Sequence, residues 1–205
     1  MADISDVLNS LVAAVTAVIY PSGIGSPSIT SLPTLIYAGW PQSSQLDADM
    51  RGLASGSGRI HVTLFPTGTQ KLQQPYLGGY KPSAGNTLTR EVRRQMGVIQ
   101  VTVWADTPEH REATAPAIDS ELAATDFFTL PDGSSARLRY QSTLFTDATQ
   151  KANLYRRDLM YTVEYATTQT VAAVPVIESG LNILVAIDAP DGTAVHAFTL
   201  TETTP

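Results

Sequence analysis

The chain has 205 residues, 43% of them hydrophobic and 16% charged, with a formal net charge of −6 and no cysteine. General disorder is excluded by that apolar content, and disulfides, thiolate metal sites and cysteine nucleophiles by the missing thiol. Nucleic-acid grip is disfavoured too. All thirteen Lys and Arg lie between Pro21 and Tyr165 beside thirteen Asp and Glu, while the first 20 residues carry two acids and the last 40 carry four; phosphate binding needs a basic face.

The charged fraction lies below the usual value of about 25%, as for a surface partly covered by a partner. Asp3 and Asp6, with no early Lys or Arg, argue against a signal peptide. The apolar run Leu11 to Tyr20 is far short of the roughly 20 residues that span a bilayer. A soluble protein made in the cytoplasm is expected.

In chain order, Asp3 predicts an N-cap, and Ile4, Val7, Leu8, Leu11, Val12, Val15, Val18 and Ile19 fall at helical spacing until Pro21 and Gly23. Leu35 to Trp40 reads as a strand. Ser43 or Ser44 then caps a short helix with Leu46, Met50 and Leu53 inward and Asp47 in its first turn. Gly56 and Gly58 stop it, and Arg59 to Phe65 reads as a strand.

Residues Thr67 to Asn86 are polar and aperiodic, a long loop or projecting hairpin by this reading. Leu88 to Ala105 is a long strand, apolar on both faces near its end and therefore central in its sheet. Thr107 and Pro108 open a third helix with Ala113, Ala117, Ile118 and Leu122 inward. A hairpin about Pro131-Asp132-Gly133 follows, then a strand with Leu159, Tyr161, Val163 and Tyr165 on one side.

After a linker with Pro175 and Gly180, a last hairpin is expected about Pro190 to Gly192. The expected fold class is α+β, an antiparallel-rich sheet packed by about three helices with a C-terminal β-hairpin extension. Two parts are expected, a domain over residues 1–170, with 67–86 projecting, and an arm over residues 171–205.

Chemistry-bearing patterns are sparse. Neither glycine cluster carries the Lys-Ser/Thr of a nucleotide loop, and no Gly-x-Ser-x-Gly occurs. His61, His110 and His196 are far apart in sequence; only His110, between Glu109 and Glu112, has nearby acids, and these read as a solvated helix face. Asp47 and Asp49, two apart on a helix, point away from each other. No catalytic, cofactor-binding or metal residue is assigned.

Arg93-Arg94 and Arg156-Arg157 are adjacent pairs within strands, so alternation sends one of each to either face. With Arg59 they are candidate subunit-interface residues, Arg being enriched at interfaces. Trp40 and Trp104, each ending an apolar run, read as core anchors.

The segments "DVLNSLVAAVTAVIYPSG", "IYAGWPQSSQLDADMRG", "HVTLFP", "TREVRRQMGVIQVTVWADTPEHRE" and "ATQKANLYRRDLMYTVEYATTQT" together resemble tailed-bacteriophage and prophage neck and tail proteins. The tail terminator type is the best match, over about residues 3–170. That resemblance implies a homo-hexameric ring of α+β subunits in the virion neck, capping the head-proximal end of the tail tube. Its partners would be the tail tube protein and a head-completion (connector) protein. DNA would pass through without specific binding, and neither cofactor, catalysis nor membrane is expected. A head-completion or stopper protein, or another tail structural protein, is the neighbouring alternative, and a small hydrolase using His61 or His196 the remote one.

Overall fold

The structure, a computed structural model, describes residues 2–72, 79–83, 86–146 and 154–173. The chain divides into two compact units, Met1–Val171 and Ala172–Pro205. The helices and the sheet belong to the first, and the hairpin expected about Pro190 to Gly192 lies outside the described residues.

Three helices and seven strands occur in the order α1 (Ile4–Ile19), β1 (Thr34–Ala38), α2 (Ser43–Leu53), β2 (Ile60–Lys71), β3 (Lys81–Ser83), β4 (Thr87–Ala105), α3 (Pro108–Ala124), β5 (Phe127–Thr129), β6 (Ser135–Thr146) and β7 (Tyr155–Ala172). The strands form one sheet in the order β1-β2-β4-β7-β6-β5, with β3 against the start of β4. β1 and β2 are parallel, whereas the β2–β4, β3–β4, β5–β6 and β6–β7 ladders are antiparallel. The fold is α+β, and β4 holds the expected central place.

Asp3 caps α1, accepting from the backbone N–H groups of Ser5 and Asp6 while the Asp6 carboxylate returns to the Asp3 N–H. Val7, Leu8, Leu11, Val15 and Ile19 are buried. They lie over β1 and β2, on the sheet face where β4 carries Ile99, Val101 and Val103, all fully buried. α3 lies on this same face, because Tyr161, on the side of β7 shared with Leu159 and Val163, reaches Asp119 of α3 through its hydroxyl.

The opposite face carries His61, Thr63 and Phe65 of β2 beside Trp104, Thr102 and Gln100 of β4. α2, the crossover between the parallel strands, sits here: His61 bonds Asp49 of that helix. The sheet therefore has two clothed faces at the β2–β4 end.

Several sequence expectations are corrected. α2 is not capped by a serine: its N-cap is Gln42, without a side-chain bond, and Asp47 falls in the second turn, where it pairs with Arg51 at i+4. The inward face of α3 is Arg111, Thr114, Ala115, Ile118 and Leu122, whereas Ala113 is exposed and Ala117 half-buried. An alanine-rich helix gives little apolar contrast around its circumference, so its rotation is set by packing.

Within Thr67 to Asn86, expected as a long loop or projecting hairpin, the described residues include paired strand. β2 runs on to Lys71, paired with β4 as far as Gln95 beyond a register shift between Pro66 and Gly68, and β3 pairs back on Thr87–Thr89. Backbone pairing holds these polar residues with no buried face to produce an alternating pattern.

Two glycines are required by geometry. Gly133, at φ 79°, makes the β5–β6 turn, which is fastened when Asp132 accepts from Ser134, from Thr168 of β7 and from the Ala2 N–H. Gly58 lies so close under α2 that an added Cβ would fall 1.9 Å from the Asp49 carbonyl oxygen and 2.3 Å from the Leu53 nitrogen. Both obstacles are backbone, so α2 must move. Gly58→Ala is expected to cost more than about 2 kcal/mol of unfolding free energy, whereas Gly56→Ala, with open space at its Cβ, pays only for its positive φ. Chemical denaturation of the two variants checks the ranking.

Candidate functional site

The sequence singled out five arginines, and the structure distributes them over both faces of the sheet. Arg94 and Arg156 point to the α2 side, Arg93 and Arg157 to the α1/α3 side, as strand alternation requires. The two adjacent pairs stand about ten residues apart along the β4–β7 ladder, roughly 30 Å at strand rise, since Arg94 meets Glu164 while Arg156 lies beside Trp104. They form no single patch.

Each has partners within its own chain. Arg94 grips both oxygens of Glu91 (2.9 and 2.8 Å) and reaches Glu164 at 3.1 Å. These bonds raise the Arg94 pKa further above its ordinary range, and the same Arg94 bonds hold the Glu91 carboxyl below its own. Arg93 donates to Thr167 at 3.3 Å. Arg157 bonds Glu112 of α3 at 2.8 Å and lies over the Phe145 ring, where Arg111 also stands.

Arg156 has both a carboxylate and two rings as partners. It bonds Asp158 at 2.8 Å and lies over Trp104 and Trp40, 4.8 and 5.7 Å from their ring centroids. Trp104, 7% exposed, is the core anchor the sequence suggested; Trp40, 59% exposed, is not. It stacks on Phe65 with centroids 4.1 Å apart and forms a lid on the α2 face. The turn after β1 puts it outside the core, and a second aromatic ring with a cation holds it down.

Arg59 approaches Asp49 at 3.5 Å and so joins a grouping the sequence reading missed. Asp49, 5% exposed, accepts from Gln45 at 2.9 Å and bonds His61 Nε2 at 2.8 Å; His61 Nδ1 meets the Tyr37 hydroxyl at 3.1 Å. The signal was present: Asp49 falls within the inward stripe Leu46, Met50, Leu53 at helical spacing, and an acid there needs buried partners. Burial alone would raise the Asp49 carboxyl; bonds from Gln45 and His61, with the Arg59 charge, outweigh it and hold the group below its usual value.

A cavity of about 410 Å³ opens beside this chain of bonds, lined by Leu35, Tyr37, Trp40, Gln42, Gln45 and His61. An ionised Asp49 can only accept, so His61 Nε2 carries a hydrogen, and in a neutral ring Nδ1 accepts from Tyr37. Burial, then the Asp49 charge, raises the Tyr37 pKa and keeps its phenol protonated. Both ring nitrogens are therefore engaged and the phenol is a poor nucleophile. The arrangement ties α2 to β1 and β2. His110 bonds Asp106 at 2.6 Å, and among the described residues no three His, Asp or Glu are grouped to hold a metal ion.

No protein-family model matches the chain, and no curated protein matches it. Solved structures do. The chain is similar to a chain in the virion of a native gene transfer agent particle, with 16% identity and a TM-score of 0.44 over 78% of this chain and 96% of that one. It is similar as well to a chain in the extended-state sheath/tube terminator of an extracellular contractile injection system, with 13% identity and a TM-score of 0.49 over 91% of this chain and 66% of that one.

The lowered Asp49 carboxyl contributes stability that is present above its unfolded value of 3.8 and is lost as pH falls through the lower folded value. Asp49→Asn is therefore expected to flatten, without abolishing, the acid limb of stability below about pH 4, since Glu91 and Asp132 are also lowered. At pH 7 the loss is about 2–3 kcal/mol. Thermal melts from pH 2 to 7 measure both.

Proposed function

We propose that the chain is a structural subunit of a virion neck ring of the tail-terminator type, closing the head-proximal end of a tail tube. The observation that carries this reading is where its apolar surface lies. Of the large hydrophobic side chains exposed among the described residues, Ile24 and Ile29 precede β1, and Phe127, Tyr140, Leu144 and Phe145 lie on β5 and β6, while Trp40 covers the α2 face and Tyr80 and Val92 stand at the β3–β4 end. The first two groups lie at the two lateral margins of the sheet. A subunit that is apolar on two opposite flanks is suited to a neighbour on each side, the requirement of a cyclic assembly with heterologous contacts.

The finer points of the reading rest on the sequence resemblance. The ring is a homo-hexamer, its axial faces meet the tail tube protein and a head-completion protein, and DNA passes through a channel that does not bind it. The balanced charge between Pro21 and Tyr165 suits such a channel. Arg59, Arg94, Arg156 and Arg157, held by carboxylates of their own chain, and Arg93, held by Thr167, are candidates to offer their remaining donors to a neighbouring subunit.

The test is assembly. Sedimentation and negative-stain imaging of the purified chain, alone and with tail tubes, are expected to give closed rings of about six copies, in solution or on tube ends. A chain that stays monomeric at high concentration and leaves tube ends bare overturns the reading.

A further inference from the structure

Among the described residues, β1 and the far part of β6 leave backbone groups open at the margins of the sheet. In β1, Ile60 N–H bonds the Pro33 carbonyl and Gly39 N–H bonds the Leu64 carbonyl. Odd-numbered residues of β1 therefore turn their backbone groups to β2, and Thr34, Ile36 and Ala38 turn theirs outward. The Tyr20 hydroxyl satisfies both outward groups of Thr34, donating to its carbonyl and accepting from its N–H. Ile36 and Ala38 have no such partner among the described residues.

On the other margin, Leu138 N–H bonds the Asp126 carbonyl on the β5 side. Alternation from there, carried through the register shift between Tyr140 and Ser142, turns the backbone groups of Thr143 and Phe145 outward. β5 covers β6 only as far as Arg137. Each margin thus offers two outward residues spaced two apart, and neither stretch, Thr34–Ala38 or Tyr140–Thr146, contains a charged residue or proline to blunt it.

Strand directions are compatible. β2 runs parallel to β1, β4 antiparallel to β2, and β6 antiparallel to β7. The contacts Thr89–Thr170, Arg94–Glu164 and Thr102–Asp158 make β7 antiparallel to β4. β6 therefore runs opposite to β1, and copies standing side by side in one orientation bring the two together as an antiparallel pair.

We propose that β6 of one copy adds to β1 of the next, with Phe145 opposite Ile36 and Thr143 opposite Ala38, so that the sheet continues from subunit to subunit. All four of these side chains lie on the α1/α3 face, as hydrogen-bonded partners must. Phe145 then enters the groove of about 390 Å³ that Thr16, Tyr20, Ile24, Thr34 and Ile36 help to line. Leu144, on the other face, comes opposite Tyr37 at the mouth of the second cavity. The occupant is a second copy because a single chain carries both halves of the pair, matched in direction, spacing and lack of charge. The inference rests on the ring reading and adds its joint.

The cysteine-free sequence makes the test clean. Directly opposed positions in an antiparallel pair suit a disulfide. The Ala38→Cys/Thr143→Cys double variant of the full chain is expected to oxidise into a ladder of covalent oligomers ending at the ring. Either single variant should stop at dimers, and the Ala38→Cys/Leu144→Cys pair, on opposite faces, should give no ladder. Ala38→Pro removes only an outward donor; it should abolish rings while the melting transition stays in place.

Absence of the ladder overturns the proposal, even if Ala38→Pro fails to fold. Wild-type rings that persist without the ladder and survive Ala38→Pro mean another joint and leave the ring reading standing. A wild-type chain without rings and without the ladder removes both.

Discussion

The burial of β4 on two faces is the constraint on which the rest of the fold depends. Ile99, Val101 and Val103 point to α1 and α3, and apolar side chains answer that demand. The other side of the strand presents Gln100, Thr102 and Trp104, all nearly enclosed, and polar atoms there must be paired. Gln100 donates to Thr102, Thr102 to Asp158, and the Trp104 indole to Thr63. Asp158 in turn holds Arg156, whose guanidinium lies over Trp104 and Trp40. One polar network thus stitches three neighbouring strands, and a network whose members are all satisfied specifies a single register.

That network also sets how the α2 face is closed. α2 covers the β1–β2 end, anchored through Asp49 and His61. Further along, no helix among the described residues lies over Thr102; the cover is Arg156 and the Trp40–Phe65 stack. A planar cation between two indoles excludes water while leaving its edge outside. The arginine proposed for an interface therefore has a structural duty first, and the surface it presents is rigid before any partner arrives.

Much of this was legible in the residues. Asp3, Thr107-Pro108 and Pro131-Asp132-Gly133 each carry a local instruction that needs no tertiary context, and each element starts or turns where they say. The two-faced apolar end of β4 announced a central strand. The polar end of β2 left no trace because pairing alone holds it. The rotation of α3 was hidden by its alanines, and Trp40 was misread because an apolar run does not say on which side of its last residue the core ends. The tie among Asp49, His61 and Tyr37 was half visible: the acid sat in an apolar stripe, but its partners come from two other elements.

The open margins belong to a different class of information. Which backbone groups face outward depends on ladder parity and on one register shift, and no composition reports that. Yet composition does report the absence of defence. Isolated domains blunt outer strands with lysine, proline or inward charge, and Thr34–Ala38 has none of these. The carboxylates that would ordinarily repel a neighbour are spent on arginines of the same chain: Glu91 and Glu164 on Arg94, Asp158 on Arg156, Glu112 on Arg157. With those four carboxylates paired, and no charged residue in Thr34–Ala38 or Tyr140–Thr146, these two stretches offer backbone hydrogen bonding and uncharged side chains. Both act only at contact and only in register. A subunit so arranged resists loose aggregation poorly, and it gains most when a closed ring leaves no margin open.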